Sequence, residues 1–326
     1  MRMLNKSSSG YSSSHNHTRR VLVLVGPTAS GKTAISLLIA PCVNAEIISA
    51  DSRQVYKQMS IGTAKPTMAQ RKIVPHYFVD ELLPDCDFNA GEFGIRGREI
   101  IDDIFSRGNV PFVVGGSGLY IRGLIDGFFE GPGGDDKIRK QLTRRLREEG
   151  AEKLLEELKR VDSVSASKML HTNSKRIVRA LEVYQQTGIP ISELHKNTIE
   201  ITFSPVFVGL QWERNRLYQR INNRVDRMIA DGLLQEVEWL RNNGYSSKLN
   251  ALLTTGYAEV FSYLEGKLQY EQMIERIKRN TRRYAKRQLT WFRYDTRIKW
   301  FDINTEEDFP GLAKSIEKYF LSQRDA

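Results

Sequence analysis

A chain of 326 residues, 40% apolar and 27% charged, is long enough to bury a sizeable core, and its length suggests about two domains. No stretch approaches ~18 consecutive apolar residues, which excludes a transmembrane helix. Two cysteines, Cys42 and Cys86, exclude a disulfide framework or a Cys-rich metal site, so the expected setting is a reducing cytoplasm. Lys and Arg outnumber Asp and Glu by 49 to 39, a net charge of +10 that favours polyanionic partners: nucleic acid, anionic membrane or phosphorylated small molecules.

Residues 1–20 are rich in Ser, Asn and His with no apolar run, so they are no signal peptide and read as a disordered arm. Val21–Val25 is a continuous apolar, β-branched run ending at Gly26-Pro27, the pattern of a buried parallel strand. Helical spacing follows from Gly31 to about Ala40, where Pro41 stops it. A second short run, Glu46–Ala50, ends at Asp51-Ser52. A helix is expected over Phe93–Phe105, then a strand at Val110–Val114 running into Gly115-Gly116-Ser117-Gly118.

From Gly127 to about Asn197 the texture changes. After the loop Gly131-Pro-Gly-Gly134 come charged helical stretches at Asp136–Glu149, Ala151–Val161 and Ser174–Thr187, with no strand between them. Strand candidates return at Pro205–Leu210 and Ile298–Ile303, separated by helical regions at Arg214–Asn242 and Tyr270–Arg293. Strand, glycine turn and helix in repetition predict an α/β fold, a parallel sheet core flanked by helices, with an inserted all-helical domain. The expected boundaries are a core of 21–126 and 199–326 and an insertion of 127–198. Ligands of such a sheet sit beyond the C-terminal strand ends, where Gly26–Thr33, Asp51 and Gly115–Ser117 should converge.

Gly26, Pro27, Thr28, Ala29, Ser30, Gly31, Lys32 and Thr33 form a complete G-x-x-x-x-G-K-[ST] phosphate loop between strand and helix, so the core is expected to be P-loop NTPase-like. Its backbone N–H groups and helix dipole hold a di- or triphosphate; Lys32 adds charge, and the Thr33 hydroxyl can hold Mg2+ or a phosphate oxygen. A purely structural glycine turn would not need Lys32-Thr33. The Val110–Val114 strand ends in glycines rather than in the carboxylate of a nucleoside triphosphatase. Asp51 is the strand-end acid near the loop. It could ligate Mg2+ through water, act as a general base, or simply cap the next helix. This combination points to a polyphosphate that serves as leaving group rather than as energy source.

From Arg276 to Arg293 eight basic residues (Arg276, Lys278, Arg279, Arg282, Arg283, Lys286, Arg287, Arg293) run without an acid, interleaved with Tyr284, Trp291, Phe292 and followed by Tyr294. Such a helix either offers a cationic surface with rings that stack on bases, or is a solvated helix whose rings lie in the core.

Gly26-Pro-Thr-Ala-Ser-Gly-Lys-Thr33, Ile48-Ser-Ala-Asp-Ser-Arg-Gln-Val-Tyr56 and Met59-Ser-Ile-Gly-Thr-Ala-Lys-Pro66 closely resemble the tRNA dimethylallyltransferases, also called tRNA isopentenyltransferases. The likeness continues through Pro75-His-Tyr-Phe-Val-Asp80, Val113-Val-Gly-Gly-Ser-Gly-Leu-Tyr120 and Arg176-Ile-Val-Arg-Ala-Leu-Glu182. It ends with Gly256-Tyr257 and Lys286-Arg-Gln-Leu-Thr-Trp-Phe-Arg293, covering Val21 to about Ile303 in order.

The resemblance implies transfer of a dimethylallyl group from its diphosphate to N6 of the adenosine directly 3′ of the anticodon. The phosphate loop then holds the leaving group with Mg2+, through Thr33 and the diphosphate itself. Asp51 matches the general base, and Thr33 and Arg224 match diphosphate contacts. By the same resemblance Asp51, Ser52, Arg53 and Gln54 meet the target nucleotide and its neighbours. Ser117 (usually Thr in relatives), Arg139, Lys175, Arg176 and Arg179 are implied to meet tRNA, as are Lys286, Arg287, Gln288, Thr290, Trp291 and Arg293. The implied partners are dimethylallyl diphosphate and the tRNA anticodon stem-loop, with no membrane, and the implied state is a monomer.

The chain departs from the family at Tyr77, often a histidine, at Leu253, an arginine in some members, and at Ala258, often basic. These are recognition-side positions. The five histidines show no metal-ligand spacing, so no zinc is expected. Three other readings remain: prenylation of free adenine nucleotides, a phosphate-loop kinase of a small metabolite, and a non-catalytic RNA-binding protein. The full helical insert and the Lys286–Arg293 segment speak against the first. The missing second acid speaks against the kinase, and an intact Lys32, Thr33 and Asp51 would be superfluous in the last.

Overall fold

The computed structural model describes residues 19–128, 133–196 and 200–323. The strongest apolar run builds the centre: β1 (Arg20–Val25) is flanked by β4 (Val110–Gly115) and β5 (Ser204–Trp212). Outward lie β2 (Ala45–Ala50) and β3 (His76–Tyr77) on one side and β6 (Lys299–Ile303) on the other. All six strands are parallel, in the order β3-β2-β4-β1-β5-β6. Fully buried strands carry no polar face, which is why the sequence shows continuous apolar runs instead of alternation.

Register places the site. Val25 and Ala50 both pair with Gly115, so β1, β2 and β4 end abreast. The residues that follow them, Gly26, Asp51 and Gly116, therefore leave the sheet at one edge, where parallel sheets bind ligands.

The pleat sends alternate β1 side chains to two cores. Leu22 and Leu24 pack with α1 (Lys32–Ile39) and the last helix. Val21, Val23 and Val25 join the larger core, which includes α3 (Ala90–Ser106) and α4 (Gly118–Ile125); the short α2 (Met68–Ile73) precedes β3. Five helices follow: α5 (Asp136–Glu149), α6 (Ala151–Val161), α7 (Ser163–Ser167), α8 (Ser174–Thr187) and α9 (Ile191–Leu194). They close around their own cluster, including Leu142, Leu154, Leu158, Ile177 and Leu181. After β5 come α10 (Arg214–Ala230), α11 (Leu233–Asn242), α12 (Tyr257–Leu264), the long α13 (Tyr270–Arg293) and, after β6, α14 (Phe309–Ser322).

Several element boundaries differ from the sequence reading. The first strand begins at Arg20, inside the expected arm; residues 1–18 lie outside the described residues, as do 129–132 at the start of the expected insertion and 197–199 at its end. The helix expected at Phe93 starts at Ala90, because Asn89 accepts N–H bonds from Gly91 and Glu92. The stretch expected as one helical region over 214–242 is two helices, broken where Gly232 adopts φ 100°. The C-terminal tail, for which no element was expected, forms α14 and buries Phe309, Ala313, Ile316 and Phe320. No helix among the described residues is long and apolar enough to cross a membrane.

Candidate active site

The phosphate loop turns from β1 into α1 through Gly31 at φ 92°; a Cβ there would also lie 2.4 Å from the Phe309 ring, so the turn demands glycine. The loop is braced from outside. Trp212 Nε1 donates to Ser30 O (3.0 Å), Arg220 Nε donates to Ala29 O (2.9 Å), and Thr28 N donates to Gln288 Oε1 (2.8 Å). Lys32 Nζ folds over the loop onto the carbonyls of Gly26 and Pro27, at 2.8 and 2.7 Å. The Ser30 hydroxyl is buried without a partner.

At the end of β2, Asp51 Oδ1 accepts from the backbone N–H of Arg53 (2.9 Å) and Gln54 (3.4 Å). It therefore closes the turn 52–55 and caps no helix; the next helix begins at Met68. Ser117 Oγ accepts from Ser52 N at 3.1 Å, tying this turn to the end of β4. The Gln54 side chain accepts from Ser49 Oγ (3.0 Å) and donates to the carbonyls of Thr63 (3.3 Å) and Ala64 (3.4 Å).

These parts share a cavity of about 610 Å³ that brings together Thr33, Asp51 and Arg224, residues from three separate elements. A recess of about 50 Å³ touches Lys32, Thr33, Ser49, Asp51 and Gln54. Electrostatically the cavity is short of anions. Burial, reinforced by Arg224 and opposed by Asp51, pulls Lys32 down to about 7. Burial likewise brings Arg224 down to about 10 against the attraction of Asp51, with Arg227 and Arg220 adding repulsion. Two cations that are costly to charge are what a bound polyphosphate would relieve. Burial and the neighbouring Asp51 push the Tyr284 hydroxyl up to about 12, so it stays a neutral donor.

The residues implied to meet RNA divide into groups. Ser52, Arg53, Gln54, Arg287 and Gln288 line the cavity. Gln288 is nevertheless only 6% exposed, and its amide spans Thr28 N and Gly116 O (2.9 Å). Lys286, Arg287, Thr290 and Trp291 line a second cavity of about 780 Å³ along α13, and Arg287 lies on both. Arg293 is exposed at the end of that helix and lines neither. In the helical insert, Lys175 and Arg176 are exposed, whereas Arg139 and Arg179 both pair with the buried Glu182 at 3.1 Å. Of the departures, Leu253 is 61% exposed at the cavity rim, and the Tyr77 hydroxyl donates to Glu46 (2.7 Å), away from the cavity.

Sequence reasoning missed Arg220, Arg227 and Tyr284 as cavity residues. Arg220, Arg224 and Arg227 recur at helical spacing, a signal visible in the chain; the approach of Tyr284 to Asp51 was not.

The IPP transferase family model matches residues 54–295. A tRNA dimethylallyltransferase of Pelotomaculum thermopropionicum is 44% identical over 310 residues, covering 94% of this chain and 98% of that protein. One of Geotalea uraniireducens is 43% identical, covering 92% and 97%. Among solved structures, the tRNA isopentenylpyrophosphate transferase of Bacillus halodurans superposes with a TM-score of 0.71 at 37% identity, over 94% of this chain and 97% of its own. A eukaryotic dimethylallyltransferase acting on tRNA superposes with a TM-score of 0.79 at 28% identity, over 94% and 80%. With most of its length matched by the family model and relatives above 40% identity covered nearly end to end, the chain belongs to the IPP transferase family, the tRNA dimethylallyltransferases.

Proposed function

We propose that the protein transfers a dimethylallyl group from dimethylallyl diphosphate to the exocyclic N6 of the adenosine 3′-adjacent to the anticodon in tRNA, releasing diphosphate. The observation that carries this is the Asp51 carboxylate in a cavity shared with a cation-rich phosphate loop; the other acid there, Glu306, is paired with Arg220. In the reaction N6 attacks the allylic carbon as the C–O bond to diphosphate breaks. One N6 proton passes to Asp51, whose Oδ1 is already held by the Arg53 and Gln54 N–H groups, which fixes the carboxylate for the task. Charge growing on the leaving diphosphate meets loop N–H groups, Lys32, Arg224 and the Thr33 hydroxyl, gathered in one cavity before reaction.

The donor set suits Mg2+. A hard cation takes oxygen ligands and keeps several waters when it shares a phosphate, and Thr33 and Asp51 line one recess. Among the described residues no three His, Cys, Asp or Glu side chains gather into a cage of their own. Thr33 would hold the ion directly and Asp51 through water, and bound there it would neutralise diphosphate oxygens.

The target base is extruded into the cavity, as base-modifying enzymes require. Ser52, Arg53 and Gln54 meet it from the wall, Ser117 holds their turn, and Lys175, Arg176 and the Lys286–Arg293 stretch meet the RNA backbone and loop bases. Residues 127–198 act as the domain that grips the stem, with Arg139 and Arg179 held in place by Glu182.

The test offers labelled dimethylallyl diphosphate and Mg2+ with tRNA bearing adenosine next to the anticodon, and with AMP in parallel. Label in tRNA alone is expected; label in AMP would place the protein among nucleotide prenyltransferases, and ATP turnover without transfer would make it a kinase. Asp51→Asn should lower kcat by about 10²- to 10⁴-fold while tRNA affinity holds. Full activity in that variant would remove Asp51 from the chemistry.

A further inference from the structure

Part of the cavity wall is neither helix nor strand: segments 62–64 and 253–256 line it as bare loop. A loop keeps one shape only if its backbone groups are bound, and here one side chain binds the N–H groups that lead into the first segment. Glu236 of α11 accepts from three successive backbone N–H groups, those of Ser60 (2.8 Å), Ile61 (2.9 Å) and Gly62 (3.2 Å). Its Oε1 also accepts the Tyr257 hydroxyl at 2.6 Å. Four donors converge on one carboxylate, a nest filled from within the protein.

Tyr257 is fully buried and follows Gly256 at the start of α12, so the same carboxylate ties the second wall segment to the first. Burial and Glu236 push its hydroxyl well above the usual phenol range, which keeps it a donor. A Cβ on Gly62 would lie 2.4 Å from the Tyr257 ring, so the loop reaches Glu236 only because that position is glycine. The loop then holds Ala64 at φ 45°, a conformation a non-glycine residue adopts only when its surroundings impose it. Thr63 and Ala64 present the carbonyls that accept from Gln54 Nε2.

We propose that Glu236, with Tyr257, is a positioning residue for the acceptor: it sets the 60–64 wall and, through Thr63 and Ala64, aims Gln54 at the target nucleotide. This rests on the reading of Gln54 as an acceptor contact. The phosphate loop is braced by other residues, Trp212, Arg220 and Gln288, so donor binding should not depend on Glu236. That asymmetry separates positioning from general stability.

The test compares wild type with Tyr257→Phe, Glu236→Gln and Glu236→Ala. Tyr257→Phe keeps the ring and loses one bond. Glu236→Gln keeps one accepting oxygen but sets its amide N–H2 against a backbone N–H. Three quantities are read: inorganic diphosphate affinity by calorimetry, kcat/KM for tRNA, and amide hydrogen exchange across residues 60–64. Diphosphate affinity should stay within about twofold and exchange should quicken, while kcat/KM for tRNA falls about tenfold in Tyr257→Phe and about a hundredfold in Glu236→Ala, with Glu236→Gln between. Equal losses in diphosphate affinity and tRNA turnover would reduce Glu236 to a fold anchor and overturn the proposal. So would quickened exchange with unchanged tRNA kinetics. Wild type that binds tRNA yet transfers nothing would overturn the functional reading itself, and the role given to Gln54 with it.

Discussion

Lys32 and Arg224 stand beside one carboxylate, and burial holds both below their ordinary basicity. The consequence is a pH dependence of donor binding with a definite sign. Lys32 titrates near 7 in the free cavity, and a bound polyanion favours its charged form, so the complex holds more protons than its parts above that pH. Diphosphate affinity should therefore fall as pH rises above about 7, by at most about tenfold per unit, with proton uptake at pH 8. Calorimetry in buffers of different ionisation heat measures it; no uptake would mean Lys32 is already charged in the free protein. The loop motif was legible from its residues alone, because G-x-x-x-x-G-K-T works through backbone groups that sequence spacing dictates. The crowding of Lys32 by Arg224 was not, because those residues are far apart in the chain.

At the scale of the element, α13 shows how one helix serves two masters. Its sequence allowed either rings exposed for stacking or rings in the core, and the helix divides its rings between surface and core. Phe292 is 3% exposed in the larger core, whereas Trp291 and Tyr284 are 40% and 36% exposed; Tyr294, just past the helix, is 83% exposed. Phe292→Ala should cost about 3–5 kcal/mol of stability. Trp291→Ala should leave thermal stability nearly unchanged and cost about 1–3 kcal/mol in tRNA binding. Lys286→Ala should lower the salt slope of tRNA binding by about one ion, readable from affinity against salt concentration. Periodicity sets Met273, Ile277, Ala285, Gln288 and Phe292 on one stripe, the buried one, but it cannot say what the basic face opposite meets. Gln288 shows where motif reading stops: it lies in a run that the family resemblance implies meets tRNA, yet its amide braces the phosphate loop.

For the whole molecule, the chemistry sits at the edge of one sheet, while five helices with a core of their own carry part of the cationic surface. Within that insert Glu182, fully buried, accepts from Asp135 N (2.9 Å) and pairs with Arg139 and Arg179. Glu182→Ala should cost about 1–3 kcal/mol of stability by leaving that N–H unpaired, and should release both arginines. It should weaken tRNA binding without changing diphosphate affinity; an equal effect on both ligands would contradict the division of labour between sheet and insert.

What the sequence by itself determined is whatever depends on neighbours in the chain. It specified the buried parallel strands, the phosphate loop, the helical insert at Asp136–Glu149, Ala151–Val161 and Ser174–Thr187, and the family motifs. Each is written in local period or spacing. Only the tertiary structure decided that Asp51 closes a turn instead of capping a helix, and that Arg139 and Arg179 share a buried acid. It alone showed that the tail packs on the sheet as α14 and that Glu236 holds a wall 174 to 176 residues earlier in the chain. These are contacts between distant segments, set by which strand ends lie abreast and which helix faces meet. No local pattern encodes them.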